Sequence, residues 1–123
     1  MPTLHDSVLD APSTVISAAN LMTLCNAQPT TRTEAVTTFA LADVAMVGGD
    51  FTTANGDVSG RKTVVAAKTG VPVDATGTAT HVALVDATNL LAENTLSASQ
   101  ALTSGNNVDI GSWRIEFLDP VAV

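Results

Sequence analysis

Three side chains in this sequence could act as a nucleophile, a general base or a metal ligand: Cys25, His5 and His81. A cysteine beside a histidine is the arrangement of thiol enzymes, and the same residue types bind zinc. His5 is next to Asp6, but adjacent residues point in different directions and do not form a metal site. We therefore predict that Cys25, His5 and His81 share neither a metal nor a catalytic pocket, although the sequence alone leaves a Cys25–His81 pair open.

Other motifs of catalysis and ligand binding are missing from the sequence. There is no Gly-x-Ser-x-Gly nucleophile elbow, and Gly48-Gly49 lacks the Lys and Ser/Thr of a phosphate-binding loop. The run from Asp50 to Asp57 lacks the acidic spacing and closing Glu of a calcium loop, so Asn55-Gly56 is interpreted as a turn. The sequence therefore predicts no catalytic, cofactor-binding or metal-binding residue, and a protein that is not an enzyme and uses no cofactor.

Charge and hydropathy argue against two classes of partner. The 123 residues carry a net charge of −7 and only five Lys and Arg, which argues against binding to a nucleic-acid backbone. No apolar run reaches the ~18 residues of a membrane span, and no signal peptide is visible, so we expect synthesis in a cytoplasm and no membrane partner. Charged residues make up only 14% of the chain, which suits a surface that stays in contact with other protein.

One helix is predicted, at the N-terminus. Asp10 can cap it, Pro12 fits its first turn and Asn20 can close it. The apolar face would then consist of Ala11, Val15, Ala18 and Ala19. A strand over residues 14–18 is the alternative, and residues 1–10 could form an extended arm.

The rest of the chain has the pattern of short strands punctuated by Gly and Pro, with one helical turn over residues 33–35. Strands are predicted at residues 21–26, 39–47, 51–54, 63–68, 79–86, 90–96 and 108–118, with an edge strand within 70–77. Asn55-Gly56 predicts a hairpin after the third of these. We expect a mainly β fold, a single antiparallel β-sandwich domain over residues 1–123 with a short N-terminal helix.

In the last predicted strand, the apolar residues switch from even-numbered to odd-numbered positions. Val108 and Ile110 have one parity, whereas Trp113, Ile115 and Phe117 have the other. A strand that keeps its apolar side inward must gain a residue between the two groups, and Gly111-Ser112 is the natural place for a bulge. The alternative is two strands that meet at a sandwich corner. In both cases we expect Trp113, Ile115 and Phe117 to be buried on one face.

The C-terminal half resembles a pattern found in small structural proteins of tailed bacteriophages and prophages. The residues that carry the resemblance are Ala79-Thr80-His81, Asp86, Leu90-Leu91, the segment from Ser97 to Asn106, and Asp119-Pro120. The N-terminal stretch "LCNAQPTTRTEA", residues 24–35, is also similar to that family. These motifs are structural, so the resemblance supplies no catalytic residue.

The resemblance implies a virion component, most simply a capsid decoration or cement protein on the outer surface of the head. The expected partners are the major capsid protein or another virion protein, with homo-oligomeric or lattice-bound assembly. A tail or connector component and a carbohydrate-binding or adhesin domain are the alternatives. Attachment is expected to use an exposed strand edge or the N-terminal arm, residues 1–7, and to survive moderate salt.

Overall fold

The computed structural model describes residues 5–118. As predicted, it is mainly β, with antiparallel sheets in a sandwich-like arrangement and one short N-terminal helix. In chain order the elements are α1 (Asp6–Ile16), β1 (Leu21–Cys25), a π-helical turn (Glu34–Thr38), β2 (Ala40–Ala45), a 3₁₀ turn (Gly48–Asp50), β3 (Phe51–Asn55), β4 (Arg61–Val65), β5 (Lys68–Pro72), β6 (Gly77–Val85), β7 (Leu90–Leu102), β8 (Asn107–Ile110) and β9 (Trp113–Phe117).

The strands form three sheets. A four-stranded sheet has the order β2-β1-β6-β7, a three-stranded sheet has the order β3-β4-β9, and β5 and β8 form a two-stranded sheet. All the named strand pairs are antiparallel. One face of each sheet contributes to a single apolar core, which includes Met22, Leu84, Val65 and Val71.

The three-stranded and two-stranded sheets are two halves of one bent ladder. Val65 of β4 is opposite Trp113 of β9, and Lys68 of β5 is opposite Ile110 of β8. Two residues separate β4 from β5, and two separate β8 from β9, so the pairing register is the same on both sides of the break. The Ser112 hydroxyl donates to the Val65 carbonyl at 2.9 Å and bridges this corner.

This corner explains the change of frame at Gly111-Ser112, the position predicted from the sequence. The predicted single strand over 108–118 is two strands in different sheets, which was the alternative stated above. The break is not a bulge, because the same number of residues intervenes on the two paired segments. The predicted strand over 63–68 is divided at the same corner. Val108 and Ile110 are buried, whereas Trp113, Ile115 and Phe117 are half-buried against the core.

The helix differs from its prediction in its start, its end and its buried face. It ends at Ile16 with Ser17 as the C-cap, so Asn20 does not close it. It begins at Asp6, after His5 at the N-cap, so Asp10 and Pro12 lie inside it. Asp10 instead accepts a hydrogen bond from the Arg61 guanidinium at 2.9 Å, which ties α1 to β4. The predicted extended arm is therefore helical over residues 6–10, and residues 1–4 lie outside the described residues.

The apolar face of the helix was assigned wrongly to Ala11, Val15 and Ala18, which are exposed. Leu9, Ser13 and Ile16 are buried instead, followed by Ala19, the one predicted face residue that is buried. Leu9 and Ile16 are larger than alanine and remove more apolar surface from water.

Three local differences concern the connections. The predicted turn over 33–35 is the π-helical turn Glu34–Thr38, and it covers the outer face of the four-stranded sheet around Cys25 and Ala83. The hairpin of β3 and β4 forms as predicted, but the loop runs from residue 56 to 60. Strand β7 continues to Leu102, beyond its predicted end at residue 96.

Candidate functional site

Cys25 and His81 are brought together by the fold, as register partners on β1 and β6. The Cys25 thiol is nevertheless hydrogen-bonded elsewhere, to the Thr23 hydroxyl at 3.5 Å and to the Ala35 carbonyl at 3.6 Å. Burial raises the pKa of the Cys25 thiol and outweighs the opposing hydrogen bond with Thr23. The thiol is therefore protonated at neutral pH, which makes it a poor nucleophile.

Both histidines have local hydrogen-bonding roles. The His81 ring lies between two threonine hydroxyls, with Nδ1 2.8 Å from Thr80 and Nε2 3.4 Å from Thr95. His5 is exposed at the start of α1, where Nδ1 accepts a hydrogen bond from the Ser7 backbone N–H at 3.1 Å. Within residues 5–118, no group of three or more His, Cys, Asp or Glu side chains is placed to hold a metal ion.

The two acids of the segment from Asp50 to Asp57 each contact a basic side chain. Asp50 pairs with Lys68 at 2.9 Å, and Asp57 pairs with Lys62 and Arg114 at 2.6 Å each. The hydrogen bond from Lys62 is the largest of the effects that lower the pKa of Asp57. These pairs join the hairpin loop and β5 to the sheets, so both acids have a structural role.

Trp113 packs against the core at its margin. It is opposite the fully buried Val65, and opposing residues of an antiparallel pair share one face, so Trp113 is on the inner side of the three-stranded sheet. Strand β9 is an edge strand, which leaves Trp113 half-buried. Its Nε1 atom is buried and has no hydrogen-bond partner among the described residues.

Asn94 lies on the inner side of the facing sheet. It is opposite Val82, which is itself opposite Leu24, so these three side chains share the inner face of the four-stranded sheet. Strand β7 is the edge of that sheet, just as β9 is the edge of its own. Asn94 and Trp113 line the same pocket, so these two edge strands border one open side of the sandwich.

A cleft of about 340 Å³ occupies this open side, which we call the β7–β9 cleft. Its walls are formed by β7 and by the corner between β8 and β9. The lining residues are Leu24, Val82, Asn94, Thr95, Leu96, Ser97, Ala98, Gln100, Asp109, Ile110, Gly111, Ser112 and Trp113. A second depression shares Asn94, Ser112 and Trp113 and continues the cleft toward Asp57 and Val58.

A wide bulge in β7 forms one wall of the cleft. Ala79 is opposite Gln100 and His81 is opposite Thr95, so residues 96–99 of β7 have only Thr80 opposite them. Such an excess disrupts the regular edge of the strand. The outer edge of β7 is therefore interrupted at the cleft, which limits pairing with a strand of another chain there.

The second feature with binding potential is the outward side of α1. Val8, Ala11, Pro12 and Val15 are all exposed there, with Val8 54% and Val15 57% exposed. An amphipathic helix normally turns its charged or polar side to water. This outer face of α1, defined by those four residues, is instead an uncharged apolar surface.

Sequence reasoning assigned Trp113 to the core and not to a binding site, and it missed Asn94 altogether. The available signal was the alternation Ala92, Asn94, Leu96, in which a polar residue interrupts an apolar series. Gln100 was missed because the bulge that places it cannot be read from local pattern. Within residues 5–118, no helix is long and apolar enough to cross a membrane. Comparisons with protein-family models, curated proteins and solved structures give no match.

Proposed function

We propose that this protein is a non-enzymatic structural component of a tailed-bacteriophage virion, which binds the outer surface of the head as a decoration or cement subunit. The sequence resemblance over residues 24–35 and 79–120 motivates the virion assignment. The structural observation that supports binding to another protein is the exposed apolar surface on the outer face of α1. The partner is the major capsid protein, with other virion proteins as the alternative.

The chemistry of the outer face of α1 suits contact with protein. Val8 and Val15 leave more than half of their surface in water, and contiguous exposed apolar surface marks interaction sites. Burying it against a shell protein would gain about 25 cal/mol per Å² of apolar surface. Such binding depends on shape and apolar contact, so it should survive moderate salt, unlike binding driven by charge.

The N-terminal segment is the second element of attachment that the sequence suggests. Residues 1–4 precede His5, whose imidazole caps α1 through the Ser7 N–H. Deleting residues 1–7, the change suggested by the sequence, would also remove that cap. Deleting residues 1–4 alone keeps the cap, and should weaken attachment to the head while leaving the domain folded.

The test is co-sedimentation of purified protein with stripped heads of the phage that encodes it, at low and high salt. Val15→Glu places a charge in the outer face of α1 and should abolish pelleting. Thr14→Glu, on the neighbouring polar side of the helix, is the matched control and should pellet as the unchanged protein does. Binding to purified tails in place of heads, release by moderate salt, or no binding to either would overturn the proposal.

A further inference from the structure

We propose that the β7–β9 cleft is a binding site for a neutral saccharide. The inference is independent of head attachment, because the cleft and the outer face of α1 have no residue in common. A volume of about 340 Å³ lies at the lower end of the ~300–1,000 Å³ range of small-ligand sites. The cleft therefore has room for a small ligand of one or a few rings.

The charge of the lining selects the class of ligand. None of the thirteen residues that line the cleft is Lys, Arg or His, and Arg114 of the adjoining depression is paired with Asp57 and Glu116, so an anion would find no unpaired cation among these residues. The single charged lining residue is Asp109, whose Oδ1 accepts a hydrogen bond from the Gly70 N–H at 2.9 Å. Val108 and Ile110, the neighbours of Asp109 on β8, are buried, so the Asp109 carboxylate lies on the other face of the strand and the uncharged lining residues are left for a ligand, which favours a neutral polyol.

The uncharged polar lining residues match a polyol as well. Asn94 and Gln100 each offer an amide donor and acceptor, and both residues are exposed to solvent. Ser97 adds a hydroxyl group. Groups of this type can pair with sugar hydroxyls in either direction, whereas an apolar ligand would leave them unpaired.

Trp113 supplies the apolar part of the site. An aromatic ring offers flat apolar surface for the C–H faces of a sugar ring, and its N–H is a polar handle at one end. The Trp113 Nε1 atom is buried without an acceptor among the described residues, and such orphan donors are rare in folded proteins. The buried Nε1 atom itself is out of reach of a bound sugar, so the ring is the part of Trp113 that a sugar would contact.

The bulge in β7 favours a small ligand over a peptide strand in this cleft. Residues 96–99 are opposite Thr80 alone, so the backbone groups at the wall do not form a regular ladder. A peptide that adds a strand needs such a ladder for its main-chain hydrogen bonds. Peptide binding at this place is therefore a result that would contradict the proposal.

Trp113 is also the reporter for the test, because it is the only tryptophan in a chain with no tyrosine. Glucose, galactose, mannose and N-acetylglucosamine are titrated separately while tryptophan emission is recorded. At least one should give a saturable change with a Kd of about 1 mM or tighter, together with a rise in Tm. Inorganic phosphate should give neither effect.

Two variants locate the binding. Asn94→Ala should weaken the best sugar by about tenfold or more, which corresponds to about 1.4 kcal/mol. Asn107→Ala is the matched control, since Asn107 is an exposed strand asparagine outside the cleft. The proposal would be overturned by no saturable change with any of the four sugars, by saturation with phosphate, or by equal sugar affinity in the two variants. The result of the head-binding experiment does not affect this test.

Discussion

The hydroxyl groups of Ser13 and Thr63, fifty residues apart in sequence, share a hydrogen bond inside the protein. Ser13 is on the inward face of α1, and Thr63 is in the middle of β4. Both residues are buried, at 3% and 0% exposure. The pair fixes the rotation of α1 against the three-stranded sheet, and with it determines which helical face is turned to water.

A double-mutant cycle measures this pair. Ser13→Ala and Thr63→Val should each lower the free energy of unfolding by about 1–3 kcal/mol, because each leaves a buried hydroxyl without a partner. The double variant should lose less than the sum of the two, since no orphan hydroxyl remains. Urea unfolding of the four proteins gives the coupling. Strict additivity would mean that the two hydroxyls act independently.

Gly60 is required by its backbone and by its surroundings. Its φ is +69°, and a Cβ built on it would lie 2.0 Å from the Phe117 carbonyl oxygen. Gly70 has a similar φ of +64° but open space around it. Gly70→Ala should therefore cost only the left-handed conformation, about 1–2 kcal/mol, whereas Gly60→Ala should cost clearly more. Equal midpoints in urea for the two variants would rule out the steric contribution.

The fold was predictable where the information is local. The strand alternation, the hairpin after Asn55 and the break at Gly111-Ser112 follow from the pattern of neighbouring residues. The face of α1 was not predictable, because apolar residues occur on both sides of the helix. Ser13 lies on the buried face with Leu9 and Ile16, and its hydroxyl is hydrogen-bonded there to Thr63.

The β7–β9 cleft could not be predicted from the sequence, because it depends on how distant strands are arranged. Asn94 and Trp113 belong to edge strands of different sheets, and only the strand order places both edges on one side. The bulge that adds Ser97 and Gln100 depends on how β7 pairs with β6. The proximity of Cys25 and His81 was left open by the sequence, and strand register decided it.

Asp43 should make the protein less stable as the pH rises. Burial, followed by the negative charge and hydrogen bond of Asp74, raises the pKa of the Asp43 carboxyl above its ordinary value. The folded state then binds more protons than the unfolded state, so this contribution is fully present below about pH 4 and is lost as the pH rises through the raised pKa. Asp43→Asn should raise Tm at pH 7 and flatten this dependence.

Asp86 is the matched comparison for Asp43, because its pKa is shifted in the opposite direction. Hydrogen bonds from the Thr88 and Asn89 backbone N–H groups lower the pKa of Asp86, so its contribution is present at neutral pH and is lost as the pH falls through that lowered pKa. Asp86→Asn should lower Tm at pH 7. Melting curves between pH 3 and pH 7 in which both variants shift in the same direction would refute this pair of predictions.

Phe117 tests the depth of the core at β9. A fully buried phenylalanine would lose about 3–5 kcal/mol on truncation to alanine, but Phe117 is half-buried and opposite Arg61. We therefore expect Phe117→Ala to cost about 1–3 kcal/mol. Leu84→Ala, at a site with 0% exposure, should cost about 2–5 kcal/mol. Urea unfolding gives both losses of free energy. A larger loss for Phe117→Ala than for Leu84→Ala would contradict the half-buried position of Phe117.

The reactivity of Cys25 separates a structural thiol from a catalytic one. The thiol is fully buried, and burial raises its pKa, so little thiolate is present at neutral pH. The native protein should react slowly with Ellman's reagent, and one thiol should react at once after unfolding in urea. His81→Ala should leave the native rate unchanged, because the thiol is hydrogen-bonded to Thr23 and Ala35 and not to the imidazole. Fast labelling of the native protein that is lost in His81→Ala would instead show that the register partners form an activated thiol–imidazole pair.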